Sequence, residues 1–129
     1  KACLHQTGVD VSIITYGAAV HWAMNVKKKH PEIQADLVDL RTLCPLDRES
    51  IISSVVKTGK AIILQEDSLF GGIASDISAL IMEECFEHLD APVKRVASME
   101  TPIPFIGELE EQYLPKERFE KTLLELHKY

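Results

Sequence analysis

The residues predict a three-layer α/β/α domain built around a mostly parallel sheet. Short β-branched runs alternate along the chain with segments of helical period. The run Ala61-Ile62-Ile63-Leu64 is apolar on both faces, the pattern of a strand covered on each side by helices. Turn and cap residues punctuate the alternation where it needs them: Pro31 stops one helix, Asp47 caps the next and Gly59 ends it.

Val11 to Thr15 is rich in β-branched residues and reads as the first strand. A helix runs from Gly17 to His30, with Ala19, Ala23 and Val26 inward and Lys27, Lys28 and Lys29 in the last turn, where positive charge suits the helix dipole. Ala35 to Leu40 is the second strand. The helix capped by Asp47 turns Ile51, Ile52, Val55 and Val56 inward, and Gly59 supplies a left-handed C-terminal cap. Lys60 to Gln65 is the third strand. A loop from Glu66 to Gly72 leads into a long helix, Ile73 to Leu89, whose inner face is Ile73, Ile77, Leu80, Ile81 and Cys85. Pro92 to Ala97 is the fourth strand, and Thr101-Pro102-Ile103-Pro104-Phe105 is extended because each proline restricts the residue before it. Pro115 opens a last helix with Phe119, Thr122, Leu123 and Leu126 at i, i+3, i+4 and i+7. Residues 11–129 form one domain. Residues 1–10 read as a linker from an upstream domain, since the chain begins with neither an initiator Met nor the apolar core of a signal peptide.

Composition narrows the function classes. The 129 residues suffice for one core, and 46% hydrophobic with 26% charged residues is an ordinary globular mix. A net charge of −6 disfavours a nucleic-acid partner held through phosphates. No stretch approaches the ~20 apolar residues of a membrane span. Cys3, Cys44 and Cys85 lie far apart and form no C-x-x-C pair, so they read as reduced thiols.

In an open parallel sheet, ligands bind beyond the carboxyl ends of the strands. After the first strand, Thr15-Tyr16-Gly17 holds one glycine where a dinucleotide loop needs three. Thr58-Gly59-Lys60 echoes a phosphate loop, but Lys60 enters a strand rather than a helix. Glu66 and Asp67 follow the buried strand. Neighbours on an extended chain point to opposite sides, so the structural role, accepting N–H bonds in the loop or at the next helix start, is preferred to a Mg²⁺ site. Gly71-Gly72 beside a helix start suits either an anion cradle or close packing against a neighbouring chain, and packing is preferred. The five histidines show no i, i+4 pair, and no nucleophile stands beside a base. No catalytic residue, cofactor ligand or metal ligand is assigned.

Leu40-Arg41-Thr42-Leu43-Cys44-Pro45-Leu46-Asp47, Gly71-Gly72-Ile73-Ala74-Ser75-Asp76-Ile77 and the run from Glu83 through Leu89-Asp90-Ala91-Pro92-Val93 to Val96 carry a resemblance, continued by Thr101-Pro102-Ile103-Pro104 and Tyr113-Leu114-Pro115. They resemble the transketolase-type C-terminal domain of the decarboxylating component of 2-oxo acid dehydrogenases. Glu83-Glu84-Cys85-Phe86 leans toward the branched-chain (2-oxoisovalerate) enzymes. The resemblance implies a mixed, mostly parallel five-stranded sheet, its fifth strand hidden among the loops. It implies that thiamine diphosphate and Mg²⁺ belong to the full-length enzyme and lie outside this domain. It implies a cytoplasmic location in a bacterium or the mitochondrial matrix in a eukaryote. The implied partners are the enzyme's own thiamine-diphosphate-binding domains or alpha subunit, a second copy of the chain, and the peripheral subunit-binding domain of the lipoyl acyltransferase. Docking of the last is expected at Asp90, Glu87 and Tyr129, whose carboxylate adds charge if Tyr129 is the natural end. For Asp90, helix capping is the competing role, and for Glu87 a solvated helix face. Glu66, Gly71 and Gly72 are expected to form an interface loop.

Overall fold

The computed structural model describes residues 1–41, 46–68, 72–98 and 116–129. Their five strands are β1 (Cys3–Gln6), β2 (Val11–Thr15), β3 (Ala35–Asp39), β4 (Ala61–Ser68) and β5 (Lys94–Ser98). The helices are α1 (Ala19–Lys29), α2 (Arg48–Thr58), α3 (Ile73–Cys85), followed by a 3₁₀ turn at Phe86–His88, and α4 (Lys116–His127). Among the described residues no helix is long and apolar enough to cross a membrane. The expectations at Cys44, Gly71, Pro115 and residues 101–105 fall outside the described residues.

The sheet order is β1-β3-β2-β4-β5. β3, β2, β4 and β5 are parallel, and β1 runs antiparallel along β3, with Cys3 opposite Asp39. This is the mixed five-stranded sheet the resemblance implies. The fifth strand lies in the segment expected to be a linker: Cys3–Gln6 is an edge strand of the sheet. Its four residues leave Leu4 and His5 exposed, so it lacked the apolar alternation that announces a strand.

Pleat alternation divides the core between two layers. On one face Val11, Ile13, Leu37, Ile62, Leu64 and Val96 meet α1 and α4 through Ala23, Val26, Phe119, Leu123 and Leu126. On the other, Ile14, Val38, Ala61 and Ile63 meet Ile51, Val55, Ile77, Leu80, Ile81 and Cys85 of α2 and α3. Ala61 through Leu64 are all buried, as the double-faced apolar run required. Burial also pushes the Cys85 thiol pKa up, helped by the neighbouring Glu84 charge.

The caps of α2 form as expected. Asp47 accepts the Ser50 N–H, and Gly59 adopts φ 76°. The Ala2 N–H (2.9 Å), then the Ser50 hydroxyl and N–H, hold the Asp47 carboxyl below its ordinary value. The inward face of α2 differs from expectation. Ser54 and Thr58 are buried beside Ile51 and Val55, while Val56 is exposed. The reason is a buried polar cluster. The Ser12 hydroxyl lies 2.6 Å from that of Ser54 and 2.7 Å from that of Thr58. Ser54 donates to Asp36 at 2.7 Å. Hydrogen bonding to β2 and β3 therefore rotates two polar side chains inward that periodicity alone assigned to the surface.

Candidate docking site

The structure sorts the expected site residues onto opposite edges of the sheet. Glu66 belongs to the carboxyl half of β4, which runs three residues further than expected and takes in Glu66, Asp67 and Ser68. Gly72 stands at the N-terminus of α3 with φ −85° and ψ 161°, an extended backbone open to any residue. A left-handed conformation is therefore not what this glycine provides. An acceptor at the start of α3 is Gln65, whose buried Oε1 takes the Ala74 N–H at 2.7 Å; the side chains of Glu66 and Asp67 fall outside the described residues. Gln65 sits one residue before the carboxylates expected in that role. Because extended geometry at a helix N-cap suits serine, Gly72→Ser is expected to hold stability within about 0.5 kcal/mol or raise it slightly in thermal unfolding. A loss above about 2 kcal/mol would mean that close packing, not backbone geometry, requires glycine here.

Asp90 and Glu87 lie at the amino edge, and both are exposed. Asp90 N–H donates to the Gly59 carbonyl at 2.7 Å, and its carboxylate sits where a Cβ on Gly59 would be. The next residue, Lys60, points its Nζ at the His127 carbonyl, 3.4 Å away. His127 also approaches Asp10, ahead of β2, at 3.6 Å. Gly59-Lys60 thus ties the Asp90 turn on one side to the end of α4 on the other, two residues before the exposed Tyr129. At Asp90 the hydrogen bond to the rest of the fold is made by the backbone, to Gly59. Glu87 is in the 3₁₀ turn, none of whose three residues is buried.

A buried site that the sequence reading missed lies near the start of β3. Asp36 is 1% exposed. It accepts from the Gly8 N–H at 2.8 Å, the Ser54 hydroxyl at 2.7 Å and the Lys57 ammonium at 2.7 Å. It forms part of the floor of a cleft of about 420 Å³ between β1 and α2 that also takes in Ala2, Glu49 and Lys57. The available signal was Ser54, Lys57 and Thr58 on one helix, together with polar residues breaking two apolar strands. Each hydroxyl and carboxylate of this cluster is satisfied by another, so its chemistry is structural.

Thiamine diphosphate with Mg²⁺ requires a convergent set of oxygen donors. Among the described residues no three His, Cys, Asp or Glu side chains come together in such a set.

The family model described as the transketolase C-terminal domain matches residues 1–118. The 2-oxoisovalerate dehydrogenase subunit beta of Bacillus subtilis is 38% identical over 133 residues, covering 100% of this chain and 41% of that protein. The pyruvate dehydrogenase E1 component subunit beta of the same organism is 43% identical over 120 residues, covering 92% of this chain and 37% of its own. A solved structure, a split gene transketolase in an inactive beta4 tetramer, superposes with TM-score 0.81 at 25% identity, over 99% of this chain and 41% of that one. The chain thus spans about two-fifths of the length of these relatives. Family match, sheet order and relatives agree: the chain belongs to the transketolase C-terminal domain family.

Proposed function

We propose that this chain is the subunit-interface and partner-docking domain of a thiamine-diphosphate-dependent 2-oxo acid dehydrogenase, itself non-catalytic. The observation that carries the reading is the placement of Asp90, Glu87 and the chain's last residues on one exposed edge, joined through Gly59-Lys60. Carboxylates grouped on an exposed surface favour encounter with a basic partner. The peripheral subunit-binding domain of the lipoyl acyltransferase is the partner proposed. The opposite edge, with Glu66 and Gly72, would face the enzyme's own cofactor-binding domains or alpha subunit, and a second copy of the chain.

The whole enzyme would then decarboxylate a branched-chain 2-oxo acid and acylate lipoyl groups, with thiamine diphosphate and Mg²⁺ held by its other domains. It would act in the bacterial cytoplasm or the mitochondrial matrix. The close identities to 2-oxoisovalerate and pyruvate dehydrogenase beta subunits, 38% and 43%, support a pyruvate enzyme as the second reading. An acetoin-oxidising relative from Bacillus subtilis stands at 40%. Comparing kcat/KM for 2-oxoisovalerate and pyruvate on the full-length enzyme separates these.

Asp90→Lys in the full-length protein tests docking. It reverses a charge at an exposed position and leaves the backbone bond to Gly59 in place. Calorimetric titration with the peripheral subunit-binding domain is expected to show about 30-fold weaker binding or worse, with an unaltered melting temperature. Wild-type affinity would remove Asp90 from the docking surface.

A further inference from the structure

The three most exposed large apolar side chains among the described residues are Val9, Phe86 and Tyr129, at 63%, 66% and 69%. All three flank the amino edge. Val9 precedes Asp10, which pairs with His127. Tyr129 follows His127 by two residues. Phe86 opens the 3₁₀ turn, where its carbonyl accepts the Leu89 N–H, one residue before Asp90 bonds to Gly59. Met82, 45% exposed, lies one helical turn before Phe86.

The charges around Phe86 are mostly of one sign. Glu83, Glu84, Glu87 and Asp90 surround it in sequence, and of these Glu84 is engaged by Arg48 at 3.4 Å. His88 is the base within this run; Lys57, Lys60, Lys94, His127 and Lys128 stand elsewhere on the same edge, with Lys57 held by Asp36 at 2.7 Å, Lys60 turned toward the His127 carbonyl and His127 3.6 Å from Asp10. A phenylalanine left two-thirds exposed, with acidic residues on both sides of it in sequence, has the composition of a binding hot spot, an apolar anchor among polar groups.

We propose that Phe86 is the apolar anchor of the docking edge, and that its occupant presents an aliphatic or aromatic side chain flanked by Lys or Arg. The ring buries against that side chain while Glu87 and Asp90 take the basic groups. This inference rests on the docking reading above and adds to it the residue that supplies apolar contact and the chemistry of the surface it meets.

The test uses the full-length enzyme titrated with the peripheral subunit-binding domain at low and high salt. Phe86→Ala is expected to weaken binding about 10- to 30-fold, with the salt dependence unchanged because no charge is lost. Phe86→Leu should recover part of the loss. Asp90→Lys should weaken binding and flatten the salt dependence. If Phe86→Ala binds like the wild type while Asp90→Lys does not, the anchor is overturned and the docking reading stands. If both bind like the wild type, the docking reading fails and the anchor with it. A second measurement does not depend on the alanine variant's stability. With the Trp22 signal of the wild type subtracted, the indole of Phe86→Trp should be quenched by acrylamide in the free enzyme and shielded once the binding domain is added. Shielding in the free enzyme would show that another part of the enzyme already covers this position, and would overturn the proposal.

Discussion

Asp36→Ala is expected to cost about 2–4 kcal/mol of folding stability, because it leaves donors unpaired in the interior. The carboxylate holds the Gly8 N–H, the Ser54 hydroxyl and the Lys57 ammonium at 2.7–2.8 Å. Lys57 is more than a third exposed and can turn its ammonium to water, so its loss is small. The buried Gly8 N–H has no such escape, and the Ser54 hydroxyl can turn only to that of Ser12, 2.6 Å away. The Ser54 hydroxyl also supports Ser12, and through it Thr58, so the loss spreads across the contact between α2 and the two strands. Urea unfolding should show a lower midpoint at an unchanged slope. Asp36→Asn, which keeps one acceptor oxygen, should lose less than Asp36→Ala. Lys57→Met should lose least, and if it matched Asp36→Ala the exposed ion pair would be the main contributor instead.

Gly8→Ala is expected to be comparably severe, at about 2–4 kcal/mol, for a steric reason. The chain at Gly8 passes directly against the backbone where β3 begins. A Cβ there would overlap the carbonyl group of Gln34 and the nitrogen of Ala35. Main-chain atoms cannot rotate aside as a side-chain tip can. Any shift of Gly8 also disturbs its bond to Asp36 and the neighbouring exchange in which Asp10 N–H donates to the Gln34 carbonyl at 2.8 Å. Gly17→Ala provides the contrast. Gly17 has φ 64° but open space around its α-carbon, so only backbone strain of about 1–2 kcal/mol applies. Thermal unfolding of both variants should rank Gly8→Ala as the more damaging, and the reverse order would assign the cost to φ rather than to packing.

The layered architecture was readable because its signals are local. Cap chemistry at Asp47 and Gly59, helical period in α3 and α4, and the doubly apolar Ala61–Leu64 each depend on neighbours within about one or two turns. Those elements stand where the residues placed them, except that α3, expected to reach Leu89, ends at Cys85 and passes into a 3₁₀ turn; the family resemblance supplied the mixed sheet. Of the candidate site, the sequence indicated which residues carry charge or lack side chains, Asp90, Glu87 and Gly72 among them. It could not say which of them share a surface.

Only the tertiary structure decided the rest, since each of those features joins residues far apart in the chain. β1 is a strand by virtue of pairing with β3, more than thirty residues away. Ser54 and Thr58 face inward because Ser12 and Asp36, on two different strands, supply partners that no helical period encodes. Gly8 is required by the approach of Gln34, and Gly72 does not need the left-handed backbone that its sequence neighbourhood suggested. The amino edge became one surface when Asp90 met Gly59 and Lys60 met the end of α4. Sequence by itself determined the helices, four of the five strands and their order, because hydrophobic period and capping act over a few residues. The fold determined the register, the inward polar cluster and the shared edge, because hydrogen bonds and steric contacts between distant segments exist only once the layers have closed.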